Sequence, residues 1–509
     1  MPLLFNILFL GITLSLVFTF EAGGQFLSGH DGLMRTAESV HNTSVSRLPV
    51  RVLLLDGRLG RSSIGSHYEN GDLRSLQDPS RALHTKLESY GLTQFRKLRL
   101  EGTFRFVQEQ EDQIGWRLSR DALNQPYYYA NIRPGDWDND RYAVHVNGGS
   151  RLWEDRLLLA FGIDYNVERL ARYNDPRPLI NYHNLFLKVQ AGLQLGNHVL
   201  ALYAGSGDAK ETGIVRNYNR SNDSFGRTEY NLITVTGMGS YSLLRRSQYE
   251  RPLTLQQAGL TWIRAGERST LSTEVVYSRR ESSFSRRGSS GSGAIFEPMG
   301  TYIENEIRSD IFASRTVGDV ILQLVSETVF TDGYDENTQF LGANYFNRGF
   351  RQELHLLMHN ADETLSLQLS GHGTDRSIND RNASHAMGWT RAGGSADVQL
   401  TRSFSAWRMA LIPGAGYTAA LQHNLTIPES RQNLYSEYIA YPMYALNTSD
   451  VLFLRGGLQV QRYMADFSAA LLLQFEHQRI TREGPVHPDA AFHPGTIRNG
   501  VTVTLQFFH

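Results

Sequence analysis

The chain ends in RNGVTVTLQFFH, residues 498–509. Val501, Val503, Leu505 and Phe507 alternate there with Thr502, Thr504 and Gln506. Side chains of an extended strand point to opposite faces in turn, so the stretch predicts a strand with one apolar and one small-polar face. The same rule holds upstream. Leu98, Leu100, Phe104 and Phe106 alternate with Arg99, Glu101, Thr103 and Arg105. Leu157, Leu159, Phe161, Ile163 and Tyr165 share one face, as do Leu185, Leu187, Val189, Ala191 and Leu193. Ile303, Ile307 and Ile311 stand against Glu304, Glu306, Arg308 and Asp310. No helical period competes in these windows.

Composition narrows the class. The 509 residues include 46 Gly, 24 Tyr and 25 Phe but only 15 Pro, which fits a β-rich chain rather than disorder. The absence of Cys excludes disulfides, thiolate catalysis, cysteine metal sites and a cysteine-linked lipid. A net charge of −1 argues against nucleic acid as a partner. The N-terminus, MPLLFNILFLGITLSLVFTFEAGGQ, is apolar from Leu3 to Phe20 and then meets Ala22, Gly23 and Gly24. That pattern predicts a signal peptide over residues 1–25, although no Lys or Arg precedes the apolar run, with a membrane anchor as the alternative because the run is long enough to span a bilayer. No later stretch is long and apolar enough for a membrane helix.

Repeated alternation fits either a soluble sandwich or propeller, or a transmembrane barrel. Connector lengths favour the barrel. Tight links at 195–198, 264–269, 316–320, 360–364 and 402–406 alternate with long ones at 109–139, 209–250, 281–299, 332–340 and 422–432. Aromatics also gather at expected strand ends, among them Phe104, Phe106, Tyr165, Tyr277, Phe330, Tyr438, Tyr441 and Phe475, as in interfacial belts. The expectation is an all-β, antiparallel transmembrane barrel of about 18 strands, within 16 to 20, and an even number. It occupies residues 51–509, with strands near 51–62, 82–92 and 96–108 at its start. Residues 26–50 form a periplasmic or lumen-lying segment. The stretch 228–264 must hold one strand or three for the total to be even.

On this footing the C-terminus resembles the sorting signal of outer-membrane barrels, carried here by Gly500, Val503, Leu505, Phe507 and Phe508. The resemblance implies reading by the barrel-assembly machinery. KLESYGLTQFRKLRLEGTFRF (86–106), DPRPLINYHNLFLKVQAGLQLG (175–196) and the last strand resemble an uncharacterised family of Bacteroidota outer-membrane barrels bearing a domain of unknown function. That resemblance implies a Gram-negative outer membrane, contact with its lipids and a surface partner, and supplies no catalytic residue.

Chemistry-bearing motifs are sparse. GDWDND (135–140) spaces Asp136, Asp138 and Asp140 like a calcium loop, but Arg141 stands where that loop needs Gly. GHDG (29–32) and GHGTDR (371–376) set His beside Asp without a nucleophile. GSSGSG (288–293) lacks the Lys of a phosphate loop. The Tyr127–Tyr129 run either stacks on sugar or packs a loop. No catalytic residue, metal or cofactor is therefore assigned. The informative surface is the polar face. Arg99, Arg105, Lys188, Arg308 and Arg455 oppose Glu101, Glu274, Glu304, Glu306, Asp310 and Glu476 as lumen-lining residues. They either tune a pore or form ion pairs that fill the interior.

The resulting expectation is a porin-like channel or transport component for small polar solutes. The alternative is a non-conducting subunit that docks a TonB-dependent transporter or a surface lipoprotein, with a rim-sited hydrolase behind both. A complete TonB-dependent transporter is not expected, because its plug is a separate N-terminal domain.

Overall fold

The computed structural model describes residues 48–55, 57–122, 125–223, 227–244, 247–287, 296–464 and 467–508. The expected signal peptide, GHDG and GSSGSG lie outside the described residues. The first wall strands are Leu59–Gly71 (β1), Arg81–Phe95 (β2) and Leu98–Ile114 (β3), followed by the short Tyr127–Ala130 (β4). The wall continues with Gly135–Leu152 (β5), Leu157–Arg172 (β6), Arg177–Leu195 (β7) and His198–Arg216 (β8). Two more short strands follow, Leu232–Thr236 (β9) and Tyr241–Leu244 (β10). The wall then runs through Ser247–Ala265 (β11), Ser269–Arg287 (β12), Phe296–Val317 (β13), Val320–Asn337 (β14) and Tyr345–Asn360 (β15). It finishes with Leu365–Asp380 (β16), His385–Phe404 (β17), Trp407–Thr426 (β18), Asp450–Tyr463 (β19), Ser468–Arg482 (β20) and Ile497–Phe508 (β21).

The 18 long strands form one antiparallel sheet closed on itself. Closure is made by β21, which pairs with β20 on one side and with β1 on the other, from Arg61↔Phe508 to Gly71↔Arg498. No sheet edge is left in the wall, so its backbone donors and acceptors find partners across the strands. Both ends of the described chain lie at the end of the barrel that carries the tight turns (the turn end). Two of those turns use Gly196 and Gly318 at φ +59°, where a side chain would be strained.

Outward positions are apolar. Ile64, Leu159, Phe161, Leu187, Val189, Ile307, Leu411, Leu454 and Leu473 are all exposed on the outer face. Phe95, Trp153, Phe404, Trp407, Phe467 and Phe507 ring the turn end. Tyr142, Tyr165, Tyr277, Phe330, Tyr417 and Phe475 stand farther up the wall. Trp407 and Tyr417 lie ten residues apart on one strand, 407 to 417. At about 3.4 Å per residue and a tilt of about 40°, that separation spans about 25 Å, the height of a lipid-facing band. Tyr438 and Tyr441 do not join the rings as expected. They sit in a helical stretch, Ser436–Ala440 continuing into Tyr441–Asn447 (α1), folded in under the loops.

The opposite, loop end is covered. β4, β9 and β10 form a separate antiparallel sheet across the mouth. Its core joins Trp116, Tyr128, Ile233, Val235 and Met238 to Tyr435 and Ile439 of the helical stretch and to the inward-facing Tyr302, Tyr345, Met387 and Trp389 of the wall. The Trp116 ring stacks on Tyr438 at 5.7 Å and its indole N–H donates to the Tyr128 hydroxyl at 3.1 Å. Tyr127–Tyr129 therefore packs the lid. The turn between β9 and β10 needs Gly237 at φ +133°, where a Cβ would come within 2.2 Å of the Asp380 carboxylate.

Two expectations are corrected here. The strand placed near 51–62 begins at Leu59, and Pro49–Leu54 is instead a 3-10 turn with Val50, Val52 and Leu53 buried. The segment 228–264 holds three strands, but only β11 belongs to the wall, which accounts for the parity. The connector expected over 209–250 correspondingly shrinks to 217–246 and carries two lid strands.

Removing residues 507–509 takes away the last rungs on both flanks of β21. The expected outcome is a barrel that fails to close, read as loss of heat-modifiable migration and of protease resistance. Migration like that of the intact protein would rule out this role for the terminal rungs.

Candidate functional site

The lumen, covered by the lid at the loop end and occupied by Pro49–Leu54 at the turn end, is the candidate site. At the turn end, Val50, Val52 and Leu53 pack on Leu92, Tyr90, Leu158, Ala160, Val199, Ala201 and Ile263 of the wall. The Val50 amide donates to Gln190 Oε1 at 2.9 Å, and Gln190 Nε2 donates to Thr261 at 2.9 Å. Arg151 donates to the Leu53 carbonyl at 2.8 Å, and Arg99 to the carbonyls of Leu53 and Leu55. The turn is a plug held to the wall by side chains rather than by a sheet ladder.

Above the plug lies a layer of charge. Lys188 bonds Asp164 at 2.5 Å, and Asp164 also contacts His145. Arg308 bonds Asp310 at 3.0 Å and approaches Glu274 at 3.6 Å, and both carboxylates are 1% exposed. Asn147 spans His145 at 2.8 Å and Glu101 at 3.4 Å. Of the expected lumen-lining residues, Glu101, Lys188, Glu274, Arg308 and Asp310 gather at this level, around Arg51 of the plug, whose charge is within electrostatic reach of Glu101, Glu274 and Asp310. Glu306 faces inward beside Arg308 on the same strand. Glu304 is bound separately by Arg280 at 3.1 Å. Arg105 pairs with Glu88 at 2.8 Å, Arg455 with Asp397 at 3.4 Å, and Glu476 accepts from Gln478 at 2.6 Å. Of the C-terminal residues, Val503, Leu505 and Phe507 face outward, while Gly500 faces in against His67.

Between the charge layer and the lid is a cavity of about 440 Å³. Arg120 descends from the lid connector, grips Glu168 with two bonds of 2.7 Å and lies 3.9 Å over the Tyr182 ring. Glu211 holds the lid from the wall. It accepts from the Tyr249 hydroxyl at 2.6 Å, the Arg120 amide at 3.0 Å and Arg251 at 3.2 Å, while Arg251 also donates to the Tyr127 carbonyl at 2.6 Å. At the loop end, Asp175 anchors the connector that leads to β9. Burial opposes its charge, but the amides of Asn219 and Tyr218, the Asn222 side chain and Arg177 hold its carboxyl below the usual range.

The other motifs come apart. Asp136, Asp138 and Asp140 lie in β5 on one side of an extended strand, spaced along it rather than converging. No cluster of three or more His, Asp or Glu suited to a metal occurs among the described residues. His372 faces inward and bonds Thr418 at 2.9 Å, whereas Asp375 is exposed and, three residues on, faces outward. The plug and its apolar seat were missed. Their signal was present in Leu157–Phe161 and Val199–Leu202, which are apolar on both faces.

Replacing Arg251 by Ala leaves Glu211 buried without its guanidinium partner, a loss of about 3–5 kcal/mol. Cleavage within 116–130 under limited proteolysis should accelerate while the wall stays intact. Acid should act at Asp175: its stabilisation is present at neutral pH and persists down through about pH 4, the unfolded carboxylate value. It is lost only as pH falls further, through the lowered folded value, so exchange of the Tyr218 and Asn219 amides should rise there. Asp175→Asn should raise it already at pH 7.

No curated protein matches the chain in sequence. Among solved structures it is similar to the ferric yersiniabactin uptake receptor FyuA from Yersinia pestis, at 8% identity and a TM-score of 0.44, covering 88% of this chain and 79% of that one. It is also similar to the ferric citrate transporter FecA in its unliganded form (9% identity, TM-score 0.42, 88% and 78% covered). A third is the siderophore receptor PiuA from Acinetobacter baumannii (10% identity, TM-score 0.40, 89% and 82% covered). Residues 50–509, the plug and the whole wall, match one family model, and the chain belongs to that family of unknown function, DUF6850.

Proposed function

We propose that this protein is a transport barrel of a Gram-negative outer membrane, passing small polar solutes and closed at rest. The apolar belt, about 25 Å high by strand geometry, supports the membrane, and the tight-turn end then faces the periplasm. Residues 1–25 as a signal peptide and insertion by the barrel-assembly machinery belong to the same reading. One observation carries it: a separate segment, Leu48–Leu55, and not the wall itself, occupies the turn end of the lumen, packed against β2, β5, β6, β8 and β11. Burying Val50, Val52 and Leu53 contributes roughly 5–8 kcal/mol. Fixing the 6 residues of the turn costs about 6–12 kcal/mol. The two nearly balance, which leaves the side-chain bonds with Gln190, Arg99 and Arg151 to hold the plug.

A second reading is favoured by the exposed Tyr218, Phe340 and Leu341 at the loop end. It makes the protein a non-conducting barrel whose lid docks a TonB-dependent transporter or a surface lipoprotein. Single-channel recording in planar bilayers separates the two. The intact protein should be silent or nearly so, and a variant lacking residues 48–55, with the lid segments 116–130 and 217–246 replaced by short Gly/Ser turns, should show discrete conductance steps. Silence of a correctly folded deletion variant would overturn the transport reading.

A further inference from the structure

The plug meets the wall where carboxylates outnumber the cations that answer them. Glu274 on β12 and Asp310 on β13 are directly opposed across the ladder, Glu274↔Asp310, and both point into the lumen. Like charges in that position repel, and each is costly to bury. Arg308 answers the pair from the wall, while Lys188 is bonded to Asp164. Glu101 faces the same space from β3.

Acceptor atoms are also left without donors. Ser272 Oγ, on the same inward face of β12, and Asn147 Oδ1 are buried with no hydrogen-bond partner among the described residues, and Glu274 Oε1 makes no hydrogen bond beyond its 3.6 Å approach to the Arg308 guanidinium. Asn147 lies against the plug: at Gly162, Asn147 Oδ1, Pro49 and Lys188 converge within 3.2 Å of where a Cβ would stand. Unpaired buried acceptors beside opposed carboxylates suit a ligand that carries positive charge and many N–H donors. A guanidinium has five donors in a rigid fork and a primary ammonium has three. The chain supplies one such group itself, since the buried charge of Arg51 on the plug lies within electrostatic reach of Glu274, Glu101 and Asp310.

We infer that Glu101, Glu274 and Asp310 form a binding site for guanidinium or ammonium groups, which Arg51 fills when the plug is seated. Plug and solute thus compete for one site, and the solutes admitted are small organic cations. The inference rests on the transport reading above and adds the class of solute to it. It also gives the plug a release mechanism: a cation that takes the site removes the charge contact holding Arg51.

Two experiments test it. In planar bilayers under a KCl gradient, the same variant, lacking both residues 48–55 and the lid segments, should prefer K⁺ over Cl⁻, and methylguanidinium added on the turn side should block it. Glu274→Gln with Asp310→Asn in that background should abolish both the preference and the block. A conducting variant that prefers Cl⁻, or ignores methylguanidinium, overturns the cation site and leaves the transport reading standing. A folded variant that does not conduct overturns the transport reading instead. The full-length chain provides a readout free of conductance. Arg51→Ala should lower the unfolding midpoint, and methylguanidinium at millimolar concentration should restore it. The restoration should vanish when Glu274→Gln and Asp310→Asn are added. No restoration in Arg51→Ala alone, or equal restoration in the triple variant, overturns the site.

Discussion

Everything in this molecule depends on the pairing of its last strand with its first. An apolar surround offers no partner to a backbone amide or carbonyl, so a sheet placed there must have no edge. β21 satisfies that condition by bonding to β20 and β1 at once. Once the ladder is closed at 18 strands, the interior is too wide for wall side chains alone to fill. The rest of the structure answers that excess of space. The loop end is filled by a folded lid with its own aromatic core, and six residues of the N-terminal segment line one side of the turn end. The band between them keeps polar side chains, and these are largely paired with one another.

The wall was legible because period-two alternation is a direct consequence of strand geometry and because one face meets a uniformly apolar medium. Leu185 to Leu195 in β7 shows it without interruption. The inward positions of Lys188, Glu274 and Arg308 follow from the same parity. Their partners do not, since parity says which way a side chain points and not how high its neighbour stands across the lumen. Glu304 and Asp310 share one face of β13, yet one meets Arg280 and the other Arg308.

Elements inside the barrel were illegible for a different reason. Val50 to Leu55 is a short apolar run next to the first wall strand, and at that length a buried turn and a strand look alike. Pro49 at its start favours the turn, while β1 itself is rich in Gly, Ser and polar residues and shows little alternation. The aspartates of β5 err in the opposite sense. Their spacing fits a loop that wraps an ion, but spacing means convergence only where the backbone curls, and here it runs straight. The lid shows that a long connector need not be a passive loop. Its strand β9 lies between β4 and β10, so part of the longest expected connector is central to the cover.

The seat of the plug has a further consequence. Leu92, Leu158, Ala160, Val199, Ala201 and Ile263 turn apolar groups inward where the segment 48–55 rests on the wall. With the segment gone, they leave an apolar strip along β2, β6, β8 and β11 that water wets poorly. Exposing that strip is a cost of withdrawal. The apolar turn is therefore drawn back to it, and the bonds with Gln190, Arg99 and Arg151 re-form as it seats.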